Sequence, residues 1–127
     1  MNFLFSIHWT LAAALFYFVN GVLHDIFIIR AHKGEYNRDL LRLLMDGHVL
    51  IFSGAILFVC WLMLMSKIQC AVPIAIIVAV SMLVYCAMIF PFLKSFGTII
   101  ISIMVIIVCI RAYTIFPNIW EIMQKYK

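Results

Sequence analysis

Four long apolar segments constrain the fold of this chain more than any other feature of its sequence. They cover about residues 5–29, 41–65, 70–90 and 98–115. The hydrocarbon core of a bilayer needs about 20 helical residues at 1.5 Å each, so each segment is long enough to cross it. With 68% hydrophobic and 11% charged residues, the chain lies well outside the composition of soluble domains. The sequence therefore predicts an integral membrane protein with four transmembrane helices.

The links between these segments are short, which indicates an all-α, up-down four-helix bundle in one domain covering residues 1–127. Short connections make consecutive helices antiparallel, and only residues 66–69 separate the second and third predicted helices. Pro73 falls in the first turn of the third helix, where its missing N–H matters least, and Pro91 ends that helix. After Pro117, the sequence NIWEIMQKYK is compatible with a short helix in the membrane interface or with a frayed tail.

The distribution of lysine and arginine predicts the orientation in the membrane. One side of the bundle carries Arg30, Lys33, Arg38, Arg42 and Lys94, and the other carries Lys67, Arg111, Lys125 and Lys127. Because cytoplasmic loops carry an excess of basic residues, we expect both termini outside and the 30–39 loop in the cytoplasm. The basic residues form no stripe interleaved with aromatic side chains, so no nucleic-acid partner is expected. The expected partners are the lipid bilayer and either further copies of this chain or another membrane protein in a complex.

A polar stretch interrupts the apolar pattern at residues 24–48, HDIFIIRAHKGEYNRDLLRLLMDGH. It holds four of the five acidic residues and three of the four histidines. His24 and Asp25 lie near the end of the first predicted helix, and Asp46 and His48 lie near the start of the second. Because these helices are antiparallel, the four side chains are expected at similar depth on the cytoplasmic side. An ionisable group costs about 2.5–3.5 kcal/mol at the membrane centre, so four together imply mutual pairing, hydration or a function.

The faces of the first two helices limit what this cluster can build. At about 100° per residue, Asn20, His24 and Asp25 share one face of the first helix. On a continuous second helix, Asp46 and His48 point about 200° apart, so only one of them can face the first helix. A helix break at Asp46-Gly47 would let both converge there, since aspartate is a good N-cap and glycine tolerates unusual dihedral angles. Both alternatives stay open, with a slight preference for the break, because a solvated turn exposes the carboxylate at lower cost.

The cluster is compatible with three kinds of ligand. The candidate ligand-binding residues are Asn20, His24, Asp25, Arg38, Arg42, Asp46 and His48. A divalent metal ion such as zinc, iron or manganese could take two imidazoles and two carboxylates, from His24, Asp25, Asp46 and His48. A haem could be held between His24 and His48. An anionic lipid headgroup could be bound by Lys33, Arg38 and Arg42 at the interface.

We therefore expect a small polytopic membrane protein that binds a small polar ligand, a metal or a lipid headgroup at this cluster. One alternative is an accessory or assembly subunit without chemistry of its own. In that case Arg42 could pair with Asp46 at i,i+4, and Asp25 with Arg38, Arg42 or His48. The other alternative is a metal- or haem-dependent membrane oxidoreductase. No catalytic motif in the sequence identifies a reaction.

Overall fold

The four predicted helices are present, within three residues of their expected bounds. The computed structural model describes residues 3–32, 36–66, 68–90 and 95–115. The helices are α1 (Phe3–Ala31), α2 (Arg38–Met65), α3 (Ala71–Ile89) and α4 (Phe96–Ile115). Each is long and apolar enough to cross a membrane, which confirms the all-α bundle and fits a multi-pass membrane protein. The C-terminal segment expected in the interface lies outside the described residues.

The helices form a ring in which each contacts its neighbours in sequence and α4 closes against α1. Each helix contributes large side chains to the core, among them Tyr17, Leu57, Met82 and Val105, which are all almost completely buried. Most other large apolar side chains point outward and are exposed. This arrangement suits a bundle surrounded by lipid, whose chains solvate those outward side chains.

The tightest contact in the ring is the α1–α2 seam, which we define by its small residues Ala14, Gly21, Gly47 and Gly54. They are spaced seven residues apart on each helix, so each pair lies on one face. A Cβ atom added to Gly54 would lie 2.7 Å from the Phe18 backbone N and 2.8 Å from the Ala14 backbone O. One added to Gly21 would lie 2.6 Å from the Gly47 backbone O. The two backbones are therefore in direct contact, as small residues permit between membrane helices.

Helix α2 is continuous from Arg38 to Met65, so the preferred break at Asp46-Gly47 is wrong. Its start is set by Asn37, whose side-chain oxygen accepts a hydrogen bond from the Leu40 backbone N–H at 2.9 Å. Gly47 is buried against α1, and the absence of a side chain there allows the close approach of the two helices. The glycine thus serves helix packing and not a turn.

A chain of buried hydroxyl groups crosses the bundle centre between α1 and α4. The Tyr17 and Ser102 hydroxyls are 2.5 Å apart, and Ser102 donates to the Thr98 backbone O at 2.8 Å. Because the single Ser102 hydroxyl hydrogen is used by Thr98, Tyr17 is the donor in the first bond. All three side chains are at most 4% exposed. The Tyr17–Ser102 bond therefore ties α1 to α4 inside the core, while the Ser102–Thr98 bond lies within α4.

Candidate functional site

A cavity of about 420 Å³ lies between the four helices, at the end of the bundle where α1 and α3 end and α2 and α4 begin. All four helices contribute to it. Its polar lining consists of Asn20, His24, Asp46, Tyr85, Ser95 and Thr98. Aromatic side chains of Phe16 and Phe96 form part of its apolar wall. The volume falls in the range of about 300–1,000 Å³ that is usual for small-molecule sites.

The carboxylate of this cavity belongs to Asp46 and is held by a tyrosine. The Tyr85 hydroxyl donates to Asp46 Oδ1 at 2.6 Å, which joins α2 to α3 across 39 residues of sequence. This short, charge-assisted bond fixes the orientation of the carboxylate. Arg42 is exposed, and within the described residues it forms no ion pair with Asp46, so the i,i+4 pair considered above is not made. The Asp46 side chain instead lines the cavity.

His24 lines the same cavity from α1 and is only partly satisfied. Its Nδ1 is buried and has no hydrogen-bond partner, and the same is true of Asp25 Oδ1. These two atoms lie 3.6 Å apart, which is longer than a hydrogen bond between nitrogen and oxygen. A buried polar atom without a partner costs about 1–3 kcal/mol.

Asp25 and His48 form a separate polar pair on the outer side of the α1–α2 seam. His48 Nδ1 lies 3.0 Å from Asp25 Oδ2 and 2.9 Å from the Leu44 backbone O. A carboxylate and a carbonyl only accept, so Nδ1 carries the hydrogen; this tautomer is inferred from the hydrogen-bond partners. The Asp25 side chain is 13% exposed and that of His48 is 71% exposed. Of the three partners considered for Asp25, His48 is the one it contacts.

The seven candidate residues are thus divided by the seam. Asn20, His24 and Asp46 line the cavity, Asp25 is largely buried in the seam against Gly47 with His48 at its exposed outer edge, and Arg38 and Arg42 are exposed near the start of α2. The cause is the continuous α2, which keeps Asp46 and His48 about 200° apart. Across the described ranges, no three His, Cys, Asp or Glu side chains are placed to hold one metal ion. His24 and His48 likewise do not face a common cleft in which a haem could bind between them.

Three residues that α3 and α4 add to the cavity are not predicted from the sequence: Tyr85, Ser95 and Thr98. The signal that could have found Tyr85 is its position near the C-terminal end of a helix that is otherwise almost entirely apolar. Ser95 and Thr98 similarly flank the start of α4, at the same end of the antiparallel bundle.

Comparison of the chain with protein-family models, curated protein sequences and solved structures gives no match. Two features of the molecule therefore bear on its function: the Asp46 carboxylate in the cavity, and the Asp25–His48 pair at the outer edge of the seam.

Proposed function

We propose that this protein binds a small polar ligand, positively charged or rich in hydrogen-bond donors, in the cavity between its four helices. The observation that carries the proposal is the Asp46 carboxylate, oriented by Tyr85 and facing a cavity of about 420 Å³. None of the described residues that line the cavity is a lysine or an arginine. Among the described lining residues, the carboxylate therefore has no lysine or arginine to neutralise it, and a ligand cation or N–H group would supply that charge balance.

The aromatic wall supports the same class of ligand. Phe16, Tyr85 and Phe96 place three aromatic rings around the cavity, and the faces of such rings attract cations. The Asn20 amide adds a neutral donor and acceptor that can orient a polar group. A small organic amine matches this combination of one carboxylate, one amide and several rings. A lipid phosphate matches it less well, because the carboxylate would repel it.

Removal of the Asp46 charge is expected to abolish ligand-induced stabilisation. Purified protein in detergent would be heated with small organic cations, ethylammonium and tetramethylammonium, and with acetate as an anionic control. A cation at 100 times its Kd should raise the free energy of unfolding by about 2.7 kcal/mol. Asp46→Asn should remove this effect, because the amide keeps the shape of the carboxylate but loses its charge.

Asp39→Asn is the matched control, since it removes an exposed carboxylate in the first turn of the same helix. This variant should keep the full cation-induced stabilisation. Stabilisation by acetate, or an equal response in Asp46→Asn and Asp39→Asn, would contradict the proposed site.

We also propose that both termini lie outside and that the 30–39 loop lies in the cytoplasm, which puts the ligand cavity on the cytoplasmic side. The support is the larger number of basic residues on the side of that loop. A cysteine introduced at Gly34, a position outside the described residues, should therefore resist membrane-impermeant thiol reagents in intact cells.

The native cysteines provide the control for this labelling experiment. Cys70 is exposed at the opposite end of the bundle, whereas Cys60, Cys86 and Cys109 are buried. Cys70 should be labelled in intact cells, and a Gly34→Cys, Cys70→Ser variant should be labelled only after the membrane is opened. The reverse pattern would invert the proposed orientation.

A second function, an accessory subunit of a homo-oligomer or of a membrane complex, is favoured by one observation. The Tyr85–Asp46 and His48–Asp25 pairs join neighbouring helices without any ligand. If that is their whole role, Tyr85→Phe lowers the unfolding temperature and no cation changes it. The remaining alternative is a metal- or haem-dependent oxidoreductase. It is tested by measuring the metal content and the haem absorbance band of the purified protein.

A further inference from the structure

An apolar groove of about 380 Å³ runs along the lipid-facing side of α1 and α2. Its floor is formed by Ala14 and Gly54, where the two backbones touch. Its walls include Leu15, Phe18 and Val59, which are all about half exposed. In a membrane-spanning pair of helices, this surface faces the hydrocarbon chains of the bilayer. The groove is therefore shaped by the α1–α2 seam to take something apolar and narrow.

The Asp25–His48 pair lies on the same side of the seam as this groove. At about 100° per residue, the side chains of Asp25 and Phe18 project from α1 in directions about 20° apart. Those of His48 and Ala55 project from α2 in directions about 20° apart. Asp25 is seven residues from Phe18, which corresponds to about 10 Å along the helix. A polar pair and an apolar groove thus follow each other along one seam, which is the arrangement that an amphiphilic molecule requires.

The Nε2 atom of His48 determines which chemical group can bind beside the Asp25–His48 pair. Because Nδ1 carries the hydrogen donated to Asp25 and to Leu44, Nε2 of the neutral ring is an acceptor. The side chain is 71% exposed, and its neighbours Met45 and Phe52 are exposed and apolar. A polar atom that faces lipid without a partner is costly. A hydroxyl group is the simplest donor that satisfies Nε2.

The charges around the pair argue against an anionic headgroup. The side chain of Arg30 projects about 140° away from that of Asp25, and that of Arg42 about 120° away from that of His48. Arg38 projects about 80° away from His48 but lies ten residues, or about 15 Å, along α2. The charged group nearest to His48 on this side is the carboxylate of Asp25. A phosphate or carboxylate head would therefore meet a negative charge without a nearby arginine, whereas a neutral hydroxyl would not.

We propose that the outer α1–α2 seam binds a neutral, single-chain lipid whose hydroxyl donates a hydrogen bond to His48 Nε2 and whose hydrocarbon chain lies in the groove over Gly54. The site is separate from the cavity that contains Asp46, and it does not depend on the ligand proposed there. Asp25 is a positioning residue in this site, because it holds His48 in the tautomer that leaves Nε2 as an acceptor.

A photoreactive long-chain alcohol tests this site. The full chain would be placed in phosphatidylcholine vesicles with hexadecanol that carries a diazirine on its chain, and cross-linked peptides would be mapped by mass spectrometry. Cross-links should concentrate on the groove residues of α1 and α2. Unlabelled hexadecanol should compete about tenfold better than its methyl ether, which has no donor, and better than palmitate. Cross-links spread evenly over the lipid-facing helices, or equal competition by the ether, would overturn the proposal.

Two variants test separately the binding of the hydrocarbon chain and of the hydroxyl group of the lipid. Ala55→Trp should fill the groove from its exposed wall and reduce cross-linking several-fold, while Ala87→Trp, at an exposed alanine of α3, should leave it unchanged. His48→Phe should keep the cross-links but lose the preference for the alcohol over the ether. A preference that survives His48→Phe would rule out its role in binding the head. Disulfide-linked dimers of an Ala55→Cys variant would show that a second copy occupies the groove, which also overturns the proposal.

Discussion

Replacement of Gly21 by alanine is expected to lower the free energy of unfolding by about 1–3 kcal/mol. The added Cβ would lie 2.6 Å from the Gly47 backbone O and 2.8 Å from the Ile51 backbone N. These are backbone atoms of α2, so they cannot move without separating the two helices. The gain in helix propensity from glycine to alanine, about 0.8–1.0 kcal/mol, opposes this cost only in part. Gly21→Leu should be more damaging still, since it adds three further carbon atoms to the same contact.

Unfolding by denaturant in detergent micelles measures this effect, and Gly97→Ala is the matched control. A Cβ added to Gly97, in the first turn of α4, would meet only the tip of the Phe16 ring at 3.3 Å. Because a side-chain tip can shift, Gly97→Ala should be neutral or stabilising by up to about 1 kcal/mol. Equal stability of Gly21→Ala and Gly97→Ala would mean that the α1–α2 contact is looser than described.

Replacement of Tyr17 by alanine should cost about 3–5 kcal/mol, the usual range for loss of a large aromatic side chain from a packed core. Tyr17 is completely buried at the centre of the ring of helices, where no lipid chain can fill the space left behind. Tyr17→Phe keeps the ring and removes only the hydroxyl that donates to Ser102. That variant should therefore cost about 1 kcal/mol.

The same unfolding measurement separates packing from hydrogen bonding at Tyr17. Tyr36→Ala is the control for the loss of a tyrosine, because Tyr36 is 73% exposed before the start of α2. It should change stability by no more than about 0.5 kcal/mol. If Tyr17→Phe proves as damaging as Tyr17→Ala, the hydroxyl chain and not core packing holds α1 to α4.

The fold could be predicted from the sequence because each helix is specified by its own stretch of residues. A run of about 20 apolar residues is sufficient to specify a membrane helix, and short links specify antiparallel neighbours. The start of α2 was missed only by a few residues, although Asn37 followed by Asp39 is a recognisable helix-start signal. Helix number, order and approximate bounds therefore follow from composition and length.

The candidate site was harder to predict because it depends on contacts between helices. From the sequence, Gly47 is explained by the dihedral freedom of glycine. In the structure, a Cβ at that position would collide with Asp25 Oδ1, so packing and not backbone freedom explains the glycine. Tyr85 contacts Asp46 because of the rotation of α3 about its own axis. Since α3 is apolar on nearly every side, its sequence gives no signal for that rotation.

Because α4 closes the ring, the α1–α2 seam and the cavity can form at different times during synthesis. The α1–α2 seam joins two helices that are adjacent in sequence, so it can form as soon as the first half of the chain is inserted. The cavity needs Ser95 and Thr98, which belong to the last helix to be synthesised. A chain that ends after α3 contains the outer groove and the Asp25–His48 pair, but the Asp46 carboxylate has no enclosing wall. The outer groove can thus form early in biosynthesis, and the cavity is completed only at its end.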